Sequence, residues 1–198
     1  MKNDFRGKRE GKDIVISVPP TLLVTAVARV KDVRRARTSD FKTAGDRIYL
    51  LGPGRFGLAG SEFAAVSMTL GLADVAPQRV GEPDWDVAKK VYSWIGGTEG
   101  SQQARLRSLH DVSDGGLLVA VAEGCLARGL GAQLELDSWE VAFGEGFHSF
   151  VASVSEQDAA GVEAEWQTLG LPFRRLGQVQ SKGALECAGF SVEVSSLR

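Results

Sequence analysis

The stretch LHDVSDGGLL, residues 109–118, decides how this chain is read. It places His110 and Asp111 at the end of a strand, Ser113 at a helix N-cap, and Asp114, Gly115 and Gly116 in the first helical turn. Unpaired amide N–H groups and the helix dipole favour an anion at such a corner. Two glycines remove the side chains that keep a phosphate at a distance. Glycine costs about 0.5–1 kcal/mol against alanine inside a helix, so a pair at its start points to a purpose. A carboxylate at Asp111 suits Mg²⁺, a hard cation that shares its coordination sphere with phosphate oxygens. The plainer reading, an ordinary strand–cap–helix turn with a structural His110 and a dipole-complementing Asp114, stays open at this point.

The helix entered from this corner, GGLLVAVAEGCLARG (115–129), is apolar around most of its circumference and so packs on two sides. Beyond it, GAQLEL (131–136) and HSFVASV (148–154) read as strands. SEQDAAGVEAEWQTLG (155–170) reads as a helix capped by Ser155 and stopped by Gly170, and PFRRLGQV (172–179) and GFSVEV (189–194) as closing strands. Upstream, TLLVTAVARV (21–30) has the β-branched apolar content of a buried strand, and RIYLLG (47–52) is a second strand stopped at Gly52-Pro53-Gly54. Helices are expected over 61–70, where Phe63, Val66 and Leu70 share a face, over 84–96, and over 98–107. Residues 1–20 are polar and basic and read as a linker or a frayed element, leaving 21–198 as the folded domain. The order β-β-α-α-α-β-α-β-β-α-β-β breaks strict βαβ alternation. It predicts the α+β class, a mixed sheet with helices packed on one side.

The spacing Gly52, Gly54, Gly57 mimics a dinucleotide-binding fingerprint. Proline at 53, three further residues before the Ser61 cap, and an acid at Asp74 with no strand before it all argue against one. A Gly-rich strand-to-helix turn accounts for the pattern. The chain has no GxxxxGK[ST], HExxH or GxSxG motif, and His110 and His148 are too few and too scattered for a metal cluster. A net charge of −2 gives no field that draws the chain to nucleic acid or a membrane surface. The basic residues Arg29, Lys31, Arg34, Arg35 and Arg37 read as a solvated turn. Cys125 and Cys187 lie far apart and read as free thiols of a reducing cytoplasm. The N-terminus is charged and lacks an apolar h-region, so no signal peptide is expected, and with no apolar run near ~20 residues no membrane span is expected.

HDVSDGGL (110–117) resembles the signature of the C-terminal domain of the aminoimidazole-ribotide-synthetase-like superfamily. Within it, PPTLLVTAVARVKDVRRARTSDFKTAGDRIYLLG (19–52), LAGSEF (58–63) and FGEGFHSFVASV (143–154) are similar to the phosphoribosylformylglycinamidine synthase family, and MKNDF (1–5) resembles the residues just after a Gly-Lys-Asp-Ser motif there. The resemblance implies one C-terminal domain of an ATP-dependent carbon–nitrogen ligase (amidotransferase type) of purine biosynthesis, residues 1–20 being the remnant of a preceding ATP-binding domain. It implies ATP and Mg²⁺ as cofactors of the full-length enzyme. The partners it implies are the ATP-binding N-terminal domains and a glutaminase domain or subunit. Residue by residue, Asp111 matches an aspartate that helps hold Mg²⁺, and Ser113 a serine that touches nucleotide or phosphate. Gly115 and Gly116 match the glycines of the helix start, and Glu145 a recurrent supporting glutamate. Ser149 stands where many relatives carry arginine, which puts a phosphate contact there in doubt. Sibling enzymes (thiamine-phosphate kinase, selenophosphate synthetase, aminoimidazole ribotide synthetase) and a non-catalytic binding or assembly module are the alternatives.

Overall fold

The computed structural model describes residues 4–17, 23–30, 32–71, 79–97, 105–187 and 189–197. The chain forms two compact units, residues 1–34 and 35–198. In the first, β1 (Asp4–Arg9) and β2 (Lys12–Ser17) make an antiparallel hairpin where the sequence read as a linker or a frayed element. Its two-residue turn places Glu10 and Gly11 at φ 52 and 79, both positive as a twist-matched hairpin turn requires. Residues 23–30 form no strand, and Leu23 and Val27 are about nine-tenths exposed (88% and 92%). The apolar content expected of a buried strand is present, but no ladder among the described residues takes it up, and β-propensity alone does not make a strand.

The second unit is built on a seven-stranded sheet. Its strands are β3 (Arg47–Leu51), β4 (Leu106–Asp111), β5 (Gly131–Leu134), β6 (Phe150–Val154), β7 (Phe173–Gln180), β8 (Ala184–Cys187) and β9 (Phe190–Glu193). They lie in the order β4-β6-β3-β7-β5-β8-β9, and every neighbouring pair is antiparallel except β5–β8. The helices are α1 (Glu62–Leu70), α2 (Trp85–Ile95), α3 (Gly116–Leu126), α4 (Trp139–Phe143) and α5 (Glu156–Thr168).

The α+β class holds, but the helices cover both faces of the sheet, not one. RIYLL at β3 explains why. Ile48 and Leu50 pack with Leu117, Val121 and Cys125 of α3, whereas Tyr49 and Leu51 pack with Val91 and Trp94 of α2 and Val162 and Trp166 of α5. A strand with period-2 side chains that is apolar at every position after its first needs cover on both sides. Tyr49 is fully buried and donates its hydroxyl hydrogen to Glu163 Oε1 at 2.5 Å, with Trp166 edge-on at 5.3 Å. Burial pushes the Cys125 thiol up to about 12, consistent with a packing role, and both cysteines are free.

Capping follows the sequence at three helices. Ser61, Asp84 and Ser155 accept from the amides of Ala64, Val87 and Asp158 at 3.2, 3.1 and 3.2 Å. The short α4 and β8 carry no expectation from the sequence, while Leu106 and Arg107, expected in a helix, belong to β4. Residues 98–104 and Asp74 lie outside the described residues. Among the described residues no helix is long and apolar enough to cross a membrane.

Candidate functional site

The corner at 111–116 joins β4 to α3 beside the loop that joins β3 to α1. Val112 donates its amide hydrogen to Ser149 O at 2.9 Å, and Gly116 donates to Ser113 O at 3.0 Å. The N-cap of α3 is Gly115, at φ 83, with no side-chain cap, so Ser113 sits in the turn ahead of the helix and not at its cap. Gly116 is at φ 79, and a Cβ there would lie 2.6 Å from Gly144 O and 2.7 Å from the Phe143 carbonyl carbon. Both facts require glycine: the left-handed backbone, and a neighbouring chain where a side chain would stand. The purpose Gly116 serves in the fold is thus close approach of Phe143 and Gly144 to the helix start.

That segment supplies the anion at the corner. Glu145 Oε1 accepts the Gly115 amide hydrogen at 2.9 Å and the Glu62 amide hydrogen, in the first turn of α1, at 2.7 Å. One carboxylate oxygen therefore serves the N-termini of two helices, as the helix dipole favours. The Gly115 amide expected to face a ligand bare is engaged by a side chain of the same chain. The backbone of Glu145 exchanges two hydrogen bonds with Gly57, each 3.0 Å.

A cavity of about 670 Å³ opens here, in the size range of small-molecule sites. Its walls come from the loop Pro53–Gly60, from 79–84, from Val112, Ser113 and Asp114, and from Glu145, Gly146 and Phe147. The structure thus brings Ser113 and Glu145 together at one opening, while Asp111, Gly115 and Gly116 do not line it. Arg55, Phe56, Asp84 and Phe147 line it too, and none was singled out by motif. They lie on three segments that only the tertiary fold brings together. The charges in its walls are Arg55 and Arg79 against Glu82, Asp84, Asp114 and Glu145, and Arg55 reaches Asp84 at 3.8 Å. A polyanion entering this cavity has to bring a cation or find one on another segment.

The Asp111 side chain is largely exposed (68%), with Oδ1 3.6 Å from His110 Nδ1. His110 is held by Glu123 Oε2, 2.9 Å from its Nε2, and by the backbone oxygen of Asp111, 2.7 Å from its Nδ1. Among the described residues no group of three His, Cys, Asp or Glu side chains is arranged to hold a metal ion. Asp111 alone does not make a Mg²⁺ site. Ser149 is buried, its Oγ accepts the Gly54 amide hydrogen at 3.2 Å, and that hydroxyl donates to Phe147 O at 3.3 Å. It ties the Gly52-Pro53-Gly54 turn to β6 and presents no cation to the cavity. His148 does not begin β6; it stands before it in the left-handed region at φ 56, with Nδ1 3.1 Å from the Tyr92 hydroxyl and Trp85 at 5.1 Å.

Residues 43–188 match the family described as AIR synthase related protein, C-terminal domain. The chain belongs to this family. It is 34% identical over 174 residues to the phosphoribosylformylglycinamidine synthase subunit PurL of Trichormus variabilis, covering 83% of this chain and 22% of that protein. Among solved structures, T. maritima PurL complexed with FGAR superposes with a TM-score of 0.64 at 18% identity, covering 82% of this chain and 29% of that one. T. maritima PurL complexed with ATP gives 0.60 at 17% identity, covering 81% and 27%. These two share the fold. The chain spans about a fifth to a quarter of the length of the curated relatives it matches.

Proposed function

We propose that this chain acts as a C-terminal synthetase-type domain of a phosphoribosylformylglycinamidine synthase, an ATP-dependent carbon–nitrogen ligase of purine biosynthesis in the cytoplasm. The observation that carries the reading is the 34% identity to a PurL subunit over 83% of the chain, with the 109–118 corner inside the family match. In the reaction, ATP phosphorylates the amide oxygen of formylglycinamide ribotide, giving an iminophosphate and ADP. Ammonia from glutamine attacks the same carbon and phosphate leaves, so a carbon–nitrogen bond replaces the carbon–oxygen bond. Catalysis of this type rests on positioning and on meeting charge as it develops.

This chain supplies one wall of the site. Ser113 Oγ and the Arg55 guanidinium are lining groups suited to phosphate or ribotide oxygens, and Phe56 and Phe147 exclude water. Gly115 and Gly116 shape the corner. A preceding ATP-binding domain supplies the opposite wall, and a glutaminase domain or subunit delivers ammonia. No step runs through magnesium here, because Asp111 is the only carboxylate of the predicted metal set and it is exposed.

Amide chemical-shift mapping with Mg-ATP and with formylglycinamide ribotide tests the reading. With one wall present, the expected affinity is in the millimolar range, about −4 kcal/mol. Shifts are expected at 53–60, 112–114 and 145–147. Saturating behaviour elsewhere, or none in these segments up to about ten times that concentration, removes the assignment.

A further inference from the structure

The helices α1 and α3 start just after two walls of the same cavity, which end at Gly60 and Asp114, and they are held very differently. α3 buries seven of its 11 residues, among them Leu117, Leu118 and Val121. α1 buries only Ser67 of its nine, and Val66, Met68 and Leu70 are exposed. What fixes α1 is at its beginning: the Ser61 cap, Phe63 stacked on Phe143 at 5.1 Å, and the bond from the Glu62 amide to Glu145.

Glu145 is itself immobilised. Besides its two backbone bonds to Gly57, its neighbours are locked in place. A Cβ on Gly144 would stand 2.2 Å from Glu140 O, and one on Gly146 would stand 2.3 Å from Arg55 O. A fixed backbone therefore carries a carboxylate oxygen that bonds the buried helix with one contact and the loosely held helix with the other.

We propose that Glu145 is a positioning residue. It transfers the fixed location of the α3 start to the α1 start, and so sets the gap between the Ser113–Asp114 wall and the Arg55–Gly60 wall across which a ligand is gripped. The role for the gap rests on the cavity being the site of the function proposed above; the register itself does not. The geometry makes two demands. The acceptor has to be an sp² oxygen, and it has to sit at the end of a side chain of glutamate length, since both amides converge on one oxygen.

Hydrogen exchange on the 198-residue chain, with no ligand present, separates this role from general support. Glu145→Gln keeps the oxygen in place and loses the charge; Glu145→Asp keeps the charge and falls one methylene short; Glu145→Ala loses both. The expected pattern is exchange at residues 62–65 and 115 accelerated about tenfold or more in the alanine and aspartate variants. In the glutamine variant it stays within about threefold of the parent, and the protected amides of β3 and β6 are unchanged in all three. Parental exchange in Glu145→Ala overturns the proposal. So does protection in Glu145→Asp with none in Glu145→Gln, which would make the charge, not the register, the active element. A chain showing the expected pattern but no ligand shifts in the cavity removes the ligase reading and leaves the register standing.

Discussion

Replacing Gly116 by alanine tests the packing that builds the cavity corner, because its cost has two separable parts. The first is the left-handed backbone: at φ 79 an alanine loses about 1–2 kcal/mol relative to glycine. The second is the encounter with Phe143 and Gly144, whose backbone atoms would lie 2.6–2.9 Å from the new Cβ. Backbone cannot rotate out of the way as a side-chain tip can, so the 143–144 segment has to shift, at about 1–3 kcal/mol for overpacking. The sum is about 2–5 kcal/mol. Gly129→Ala is the internal control, since Gly129 has φ 63 and no atom within 4 Å of the added Cβ. Only the first part applies to it, about 1–2 kcal/mol. For a chain of this size each kcal/mol moves the midpoint by about 2–4 °C. Urea and thermal unfolding of both variants read the difference. Equal losses would show that the helix start does not lean on the 143–146 segment, and the account of the corner would fail.

Two further outcomes concern the core and the sheet. Tyr49→Phe removes the bond to Glu163 with little change of volume and is expected to lose about 1–2 kcal/mol in urea unfolding; parental stability would contradict the role given to that hydroxyl. Asp46 is buried with Oδ2 unpartnered, and burial raises its carboxyl above the ordinary range even though Arg107 lies 3.6 Å away. The native state therefore takes this proton at higher pH than the unfolded chain does. Its contribution to stability grows as pH falls towards the ordinary aspartate range and shrinks as pH rises through the raised native value. Asp46→Asn is expected to flatten that part of the stability–pH curve, and an unchanged slope would refute the assignment.

How much was legible in the sequence depended on where each signal resided. RIYLL, the Ser61, Asp84 and Ser155 caps, and the strand-to-helix corner at 109–118 are local, and the structure places all of them. The two-sided cover of the sheet was also written in RIYLL, which is apolar at every position after Arg47, yet a count of connections pointed to one side. α4 and β8 are five and four residues long, too short for a period to show. β8 pairs in parallel with β5, a partner no hairpin signal announces. The hairpin at 4–17 hides its alternation among charges, and its Glu10-Gly11 turn is the readable cue. At the site, Ser113 and Glu145 were found by motif, but their meeting was not. The elements between them, α3, β5 and α4, return the chain to its own helix start. The occupation of the Gly115 amide by Glu145 belongs to that return and has no local trace.

The most direct test of the central claim is a crystal structure of this chain grown with formylglycinamide ribotide. The account predicts the ribotide between Arg55 and Phe56 on one side and Ser113, Asp114 and Phe147 on the other, with Glu145 still bonded to both helix starts. Ribotide bound on another surface, with this cavity closed by its own side chains, would contradict it.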